Sequence, residues 1–440
     1  MNNPNAQFIA LFREAAPYIH QFRDKTFVIG LSGHTLLDKS IEHIAQDIGL
    51  LASLGVRLVL VHGARPQIET ALQAHQIASV VHKHTRVTDL PTLSIIKQVF
   101  GAARFDIEAN LSMGMPNSPM YGAGIKTASG NFITAKPLGV LDGIDMQLSG
   151  TVRKVDKLTI QKRLDEGCVV LVSPLGYSLS GETFNLKMEE VASQIAQSLQ
   201  AEKLIYLIEG QGLFTQEQTL ISSLSAQEAQ AVLHNTPQAQ DVTIALPFAI
   251  KALNNGVSRA HLLSAKQNGV LLSELFTRTG SGTSIARSAF VQIREATIDD
   301  IPSIMAIIQP LEEAGILRKR SRETIENHIQ SYSVLVNDNQ IYGCIAIKTF
   351  AKEPDMAELA CLAVAPITQE SGYGQLLVNH LEQKAFKMGV RKLFLLTTQT
   401  AHWFIERGFK EATLADLPKE KQKLYNYERR SKILMKNLVN

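Results

Sequence analysis

Cysteine is scarce in this chain of 440 residues. Cys168, Cys344 and Cys361 are odd in number and lack CxxC spacing, so neither a disulfide framework nor a zinc site is indicated. An excess of one charge is missing too: 44 Lys and Arg face 41 Asp and Glu, and a division near residue 290 gives 24 against 23, then 20 against 18. Neither part is a polycation, which removes the main support for non-specific nucleic-acid or bilayer binding. No apolar run approaches the roughly 18 residues that a transmembrane helix needs. Even Leu58 to Val61 meets Gly and charge within a few positions. No basic-then-apolar signal pattern opens the chain, so a reducing cytoplasm is the expected compartment. What is present is ordinary globular composition, 45% apolar and 19% charged. At roughly 100 to 200 residues per domain, the length suggests two to four folded units.

Residues 26 to 31 and 56 to 62 are short β-branched runs ending at Gly-containing turns, and Leu37 to Leu54 between them is apolar at helical spacing. That is a βαβ unit. The alternation continues with strands at Asn131 to Ala135, Cys168 to Ser173 and Leu204 to Ile208, and with helical patterns at Met188 to Leu199 and Gly269 to Leu275. Strands buried between helices predict an α/β layer sandwich. Around Gly280 to Ser288 the chain turns Gly- and Ser-rich, and a different rhythm begins with a strand at Val291 to Glu295. A boundary there gives domains of 1–287 and 288–440. In the second, Thr297 and Asp300 have capping-box spacing before an apolar helix, and Arg322 to Gln330 reads as helix. Val334 to Val336 and Ile341 to Lys348 form a hairpin. A strand ending at Val364, a helix from Gly374 to Met388, a strand from Lys392 to Thr398, a short helix near Trp403 and a strand near Lys432 to Leu434 complete an α+β domain.

In this second domain Gln369-Glu-Ser-Gly372-Tyr-Gly374 joins a strand to an apolar helix. Glycines let bare backbone amides crowd an anion, and the positive end of the helix dipole favours a pyrophosphate there. Together with the order of elements, the turn resembles the GNAT family of N-acetyltransferases over residues 291–440. The resemblance implies that Gln369, Gly372 and Gly374 bind the acetyl-CoA pyrophosphate. It also implies that the strand before the turn splays from its neighbour, and that Leu362 and Val364 hold the pantetheine by their backbone. Acyl transfer needs a base for the substrate ammonium and a proton for the leaving thiolate. Glu358 is the candidate base, acting directly or through water. The family's usual Tyr, four residues before a Gly-Phe pair, is here Phe404, ahead of Gly408-Phe409. The acid is therefore open, with Tyr425 and Tyr427 as alternatives. Two basic clusters, Arg318 to Arg322 and Arg429 to Lys432, read as solvated faces, a nucleic-acid patch or, more simply, holders of a substrate with one or two carboxylates.

In the first domain Val61-His62-Gly63-Ala-Arg-Pro66-Gln67-Ile68 after an apolar strand resembles a turn of the amino-acid kinase family, N-acetylglutamate kinases in particular. Ser129 to Phe132, Asp142-Gly143 and the Gly280-x-Gly282-Thr283 close agree with it. Phosphoryl transfer in that family uses an early K-x-G-G turn. This chain has Gly30-Leu31-Ser32-Gly33-His34, so a fold kept without kinase chemistry is expected. His34 reads as a surface or capping residue.

The two domains in this order, with Arg320-Ser-Arg322-Glu323, Glu406-Arg407-Gly408-Phe409 and Leu424-Tyr-Asn-Tyr427, resemble the N-acetylglutamate synthase family of bacterial amino-acid N-acetyltransferases. The resemblance implies acetyl transfer from acetyl-CoA to L-glutamate, with Arg320, Arg429 and Ser431 on the glutamate carboxylates and no metal. It implies L-arginine as feedback inhibitor, held by Tyr18, His261, Glu274, Gly280 and Gly282, with Glu274 meeting the guanidinium. It also implies a homo-oligomer, hexameric through the N-terminal helix 7–22. Rival readings are acetylation of another amine, a non-catalytic arginine-binding regulator, and a bifunctional kinase and acetyltransferase. His82-Lys-His84 has metal-binding spacing but no evident completing ligand, so an exposed loop is expected; Trp403 reads as packing.

Overall fold

The structure, a computed structural model, describes residues 4–37, 40–277, 280–287, 291–337, 340–366, 372–423, 425–426 and 431–438. The chain divides into two compact units, Met1–Ala289 and Phe290–Asn440.

The first unit is built on an eight-stranded sheet. Its order is Ser223–Ser225, Thr283–Ala286, Arg259–Ser264, Lys203–Ile208, Thr26–Leu31, Arg57–His62, Cys168–Val172 and Lys126–Ala128. The five long central strands run parallel. Their β-branched and leucine side chains alternate between two apolar layers. Val28, Val59 and Leu204 face the helices Met188–Leu199 and Gln240–Asn254, while Ile29, Leu60 and Ile205 face Ser40–Ser53 and Val270–Phe276. Truncating one such fully buried side chain to Ala costs about 2–5 kcal/mol. A smaller sheet, Thr183–Asn185, Leu175–Tyr177, Ile133–Pro137 and Gly150–Val155, flanks this core.

The Gly/Ser-rich stretch around 280–288 is not simply a connector. Thr283–Ala286 within it is an internal strand, antiparallel to Arg259–Ser264, with Thr283 and Ile285 buried. Small residues there permit close approach: a Cβ on Gly282 would collide with the Leu262 carbonyl. The segment His82-Lys83-His84 also differs from expectation. It belongs to a hairpin pairing Val81–His82 with Thr85–Arg86, and Asp142 does reach it, at 2.7 Å from both His82 Nε2 and Lys83 Nζ. The adjacent ammonium makes this an ion-pair cluster. No group of three or more metal-ligating side chains occurs among the described residues.

The second unit is a seven-stranded sheet ordered Val291–Glu295, Tyr332–Asn337, Gln340–Thr349, Met356–Val364, Lys392–Thr397, Lys432–Asn437 and Lys410–Ala412. Ile301–Glu313 covers one face and Tyr373–Lys387 the other. The Thr297/Asp300 capping box forms as its spacing predicts, and Arg294 clamps Asp300 with Nη1 at 2.6 Å and Nη2 at 2.8 Å.

Within Met356–Val364 the two-residue side-chain period breaks. Ala357 and Leu359 pack under Tyr373–Lys387, yet Cys361 and Ala363 pack under Ile301–Glu313. Cys361 has φ +50°, and the register against Gln340–Thr349 shifts between Cys344 and Ala346. One extra residue in a strand flips every later side chain to the other face.

Candidate active site

After Glu358, ahead of its bulge, the strand Met356–Val364 loses a neighbour. It pairs in parallel with Lys392–Thr397 only through Met356↔Lys392, Ala357↔Leu393 and Glu358↔Phe394. From Leu395 onward the neighbouring strand continues with Lys432–Asn437 on its other side. Among the described residues, 359–364 therefore keep one paired edge, toward Gln340–Thr349. A cleft of about 1260 Å³ opens where the two strands part, lined by Glu358 to Val364 on one side and Leu395 to Thr397 on the other.

At one end of this cleft lie Gly372 and Gly374 at the start of the helix Tyr373–Lys387. Gly372 sits at the N-cap with φ +73°, a left-handed conformation that an L side chain occupies only with strain. Gly374 presents bare backbone to Trp403: a Cβ there would stand 3.3 Å from the indole. The helix start thus offers unobstructed amides and a positive dipole end. Gln369, in the same turn, lies outside the described residues. Leu362 and Val364 line the cleft from the splayed strand.

Glu358 is at the branching rung, 8% exposed rather than a solvated edge residue. Both its carboxylate oxygens accept hydrogen bonds from Lys421 Nζ, at 2.6 and 2.7 Å. Lys421 also lines the cleft, and sequence reasoning passed over it. It stands 63 positions away in the chain, in the five-residue helix Lys419–Lys423, where nothing in its local pattern sets it apart from Lys419 or Lys423. Arg320 and Ser431 line the same cleft. Arg320 is held by its backbone, whose N–H donates to Glu312 Oε1 at 3.0 Å, and Nη1 donates to the Arg318 carbonyl. Arg429 and Tyr427 lie outside the described residues. Of the tyrosines considered as acid, Tyr425 is in the cleft, with its hydroxyl donating to the Ser431 carbonyl at 2.9 Å. Phe404 is buried between Trp403 and Phe409 and brings no hydroxyl. Trp403 does more than pack: it carries the Arg407 guanidinium 3.7 Å from its ring centre and forms part of the cleft wall.

The first unit assembles a second polar cluster. His261 Nδ1 lies 2.7 Å from Glu274 Oε1, and Glu274 Oε2 accepts from the amides of Ser281 at 2.7 Å and Gly282 at 3.2 Å. Gly280, φ +66°, completes the turn around that carboxylate. Lys203 Nζ is 3.3 Å from His261 Nε2 and 5.0 Å from the Phe22 ring centre. Burial alone would raise the Glu274 carboxyl, but the His261 hydrogen bond and the two amides hold it down at about 2. Burial and the neighbouring Lys203 charge push His261 toward its neutral form. Four of the five residues expected to hold arginine are thus in one place. Tyr18 lies in the apolar layer with Phe22, Phe27 and Phe276, which also holds Leu271 and Leu275 of the helix Val270–Phe276. Lys203 and Ser281 were not anticipated; a lone Lys opening a strand carries no pattern.

The turn Gly30 to His34 is tied to the helix Arg65–Ala74. Gln67 Nε2 donates to the Gly33 carbonyl at 2.7 Å, and Gly33 packs against Pro66 and the Arg65 amide. The nearby cations face carboxylates: Arg65 approaches Glu189 at 3.4 Å, and Lys266 approaches Glu209 at 2.9 Å. Glu209 also faces His34 at 3.6 Å.

Comparison with known proteins finds a family match in each unit. Residues 25–264 match the amino acid kinase family and residues 301–409 the acetyltransferase (GNAT) family. Curated relatives that are 45% identical over the whole of both chains include the amino-acid acetyltransferases of Serratia proteamaculans and Yersinia pseudotuberculosis. Among solved structures, N-acetylglutamate synthase from Neisseria gonorrhoeae complexed with coenzyme A and L-arginine is 44% identical. It covers 98% of this chain and all of its own, with a TM-score of 0.90. The same enzyme complexed with coenzyme A and N-acetyl-glutamate matches at 45% identity and a TM-score of 0.64, with the same coverage.

Proposed function

Because the chain belongs to the amino-acid acetyltransferase family, we propose that it transfers acetyl from acetyl-CoA to the α-amino group of L-glutamate and is inhibited by L-arginine. The observation that carries the reading is the parted pair of strands with a buried carboxylate at the rung where they separate. In this reading the pantetheine of acetyl-CoA adds to the free edge of residues 359–364 as a further strand would, beside Leu362 and Val364, and its pyrophosphate meets the amides at Gly372 and Gly374, with Gln369 in the same turn. A backbone amide of the splayed strand polarises the thioester carbonyl, where preorganised donors act most strongly on the developing oxyanion. The substrate ammonium gives a proton to Glu358, directly or through water. The freed nitrogen lone pair forms the C–N bond, the C–S bond breaks, and the second nitrogen proton leaves to the thiolate. The net products are the N-acetyl amino acid, CoA thiol and the proton left on Glu358.

Arg320, Arg429 and Ser431 hold the two carboxylates of glutamate, the planar guanidinium matching a carboxylate with paired hydrogen bonds. In the first unit, residues 1–287 in the sequence reading, phosphoryl transfer is absent and arginine is sensed. Its guanidinium enters beside Glu274 and His261, with Tyr18, Gly280 and Gly282 shaping the pocket. The enzyme is cytoplasmic and a homo-oligomer, hexameric through the helix Pro4–Phe22, which exposes Phe8, Ile9, Leu11 and Phe12. Glutamate-dependent release of CoA thiol from acetyl-CoA, measured with and without arginine, tests the whole reading.

A further inference from the structure

Glu358 faces a choice of cations. Its cross-strand partner is Lys348, directly opposite in the sheet ladder, yet Lys348 turns to Glu420 at 3.6 Å. Lys421 takes Glu358 instead, with side chains 16% and 11% exposed in the pair. The segment carrying Lys421 is tied down independently of that contact. Gln422 Nε2 donates to the Leu417 carbonyl at 2.7 Å, and the Lys419 amide approaches Glu353 Oε1 at 3.4 Å. The ammonium is therefore placed over the carboxylate by its surroundings.

We propose that Lys421 is a positioning residue for acetyl transfer, acting through Glu358: its charge cancels the carboxylate's, so that the substrate nitrogen, once its proton has passed through Glu358 to solvent, stays in the cleft as an amine. The proposal rests on Glu358 being the base of the proposed reaction. An unpaired buried carboxylate would hold the incoming ammonium as its counter-ion, and a nitrogen stabilised as ammonium has no lone pair for the thioester. With Lys421 in place the ammonium is a second cation beside an already neutralised pair, and it is favoured to release its proton. The bonds made and broken are those of the parent reaction. The proton passes from nitrogen to Glu358 and on to solvent, while Lys421 keeps its own. The effect separates ground state from transition state: removing the charge strengthens binding of the ammonium and weakens the step that consumes it.

The test is the steady-state kinetics of Lys421→Gln, which retains an N–H donor but no charge. KM for L-glutamate and kcat should both fall, each by about tenfold on the scale of one charge acting a few ångströms away in a partly screened site. Lys421→Arg should restore both. In a Glu358→Gln background, Lys421→Gln should leave KM for glutamate unchanged, because the group through which it acts is gone. Lys421→Met serves as a second uncharged variant if Lys421→Gln does not fold, with CoA binding as the check on the fold. A KM that stays level or rises in the uncharged variants, or a fall in KM that persists without Glu358, overturns the proposal while leaving the acetyltransferase reading standing. Failure of the unsubstituted protein to release CoA with glutamate overturns both.

Discussion

Glu358 and Phe394 form the last rung between the strands Met356–Val364 and Lys392–Thr397. Three residues further on, Cys361 has a left-handed backbone and the strand changes which side chains face which helix. The carboxylate is fixed by a paired backbone, while the residues after it have, among the described residues, a free edge. A base held by sheet geometry therefore sits beside the groove that opens where that pairing stops.

Glu358→Gln should lower kcat/KM for glutamate by about 10²–10⁴-fold, the usual contribution of a positioned proton acceptor. Binding of CoA, measured by calorimetry, should stay within a few-fold of the parent, since the pyrophosphate end of the cleft is built from other residues.

Gly372→Ala should raise KM for acetyl-CoA and destabilise the second unit by about 1 kcal/mol, the strain of a Cβ at positive φ. The φ of +73° carries this effect, because no atom of the described residues lies within 4 Å of the added carbon. Gly374→Ala differs in mechanism, as its Cβ meets Trp403 at 3.3 Å. Pairing it with Trp403→Phe should recover acetyl-CoA affinity, whereas the same pairing should not rescue Gly372→Ala.

Glu274→Gln should shift the arginine inhibition curve to concentrations about tenfold higher or more, the loss of one charge-assisted contact in a buried site. Inhibition of acetyl transfer across an arginine titration reads this directly, and an unshifted curve would remove Glu274 from the pocket.

Asp47 makes stability depend on pH. Burial raises its carboxyl from 3.8 to about 6, with the Leu271 and Leu272 amides pulling the other way, and its Oδ2 has no partner among the described residues. Below pH 3.8 the folded and unfolded chains both hold the proton, and nothing is lost. As pH rises from there to about 6 the unfolded chain releases it first, so stability falls by roughly 1.4 kcal/mol for each pH step of one. Above that range the folded state buries the anion and the loss is complete. Asp47→Asn should therefore raise the melting temperature of the first unit at about pH 7.5 relative to the parent, with a much smaller difference at about pH 4. Thermal melts of both proteins under the two conditions check it.

Much of this arrangement is legible in the residues themselves. The β-branched run Arg57–His62 and the helical spacing of Met188–Leu199 each report a burial pattern that local periodicity encodes. The Gly372 turn is visible because only glycine relieves that backbone strain. What escaped were contacts made across the chain. The long helix Leu90–Leu111 buries Leu93, Ile96, Phe100 and Ile107, but its apolar stripe is diluted by further apolar residues on its exposed side, such as Phe105. The strand Thr283–Ala286 looked like a linker because small residues suit both. Lys421 and Lys203 matter through partners 63 and 58 positions away, and a lysine carries no mark of its partner in the sequence around it.

The most direct test is release of CoA thiol from acetyl-CoA with L-glutamate, run with and without L-arginine and with Glu358→Gln alongside. The account predicts glutamate-dependent release that arginine suppresses and that the substitution reduces at least about a hundredfold, within the range of a lost general base. Absence of release with glutamate, or release that Glu358→Gln leaves intact, would contradict it.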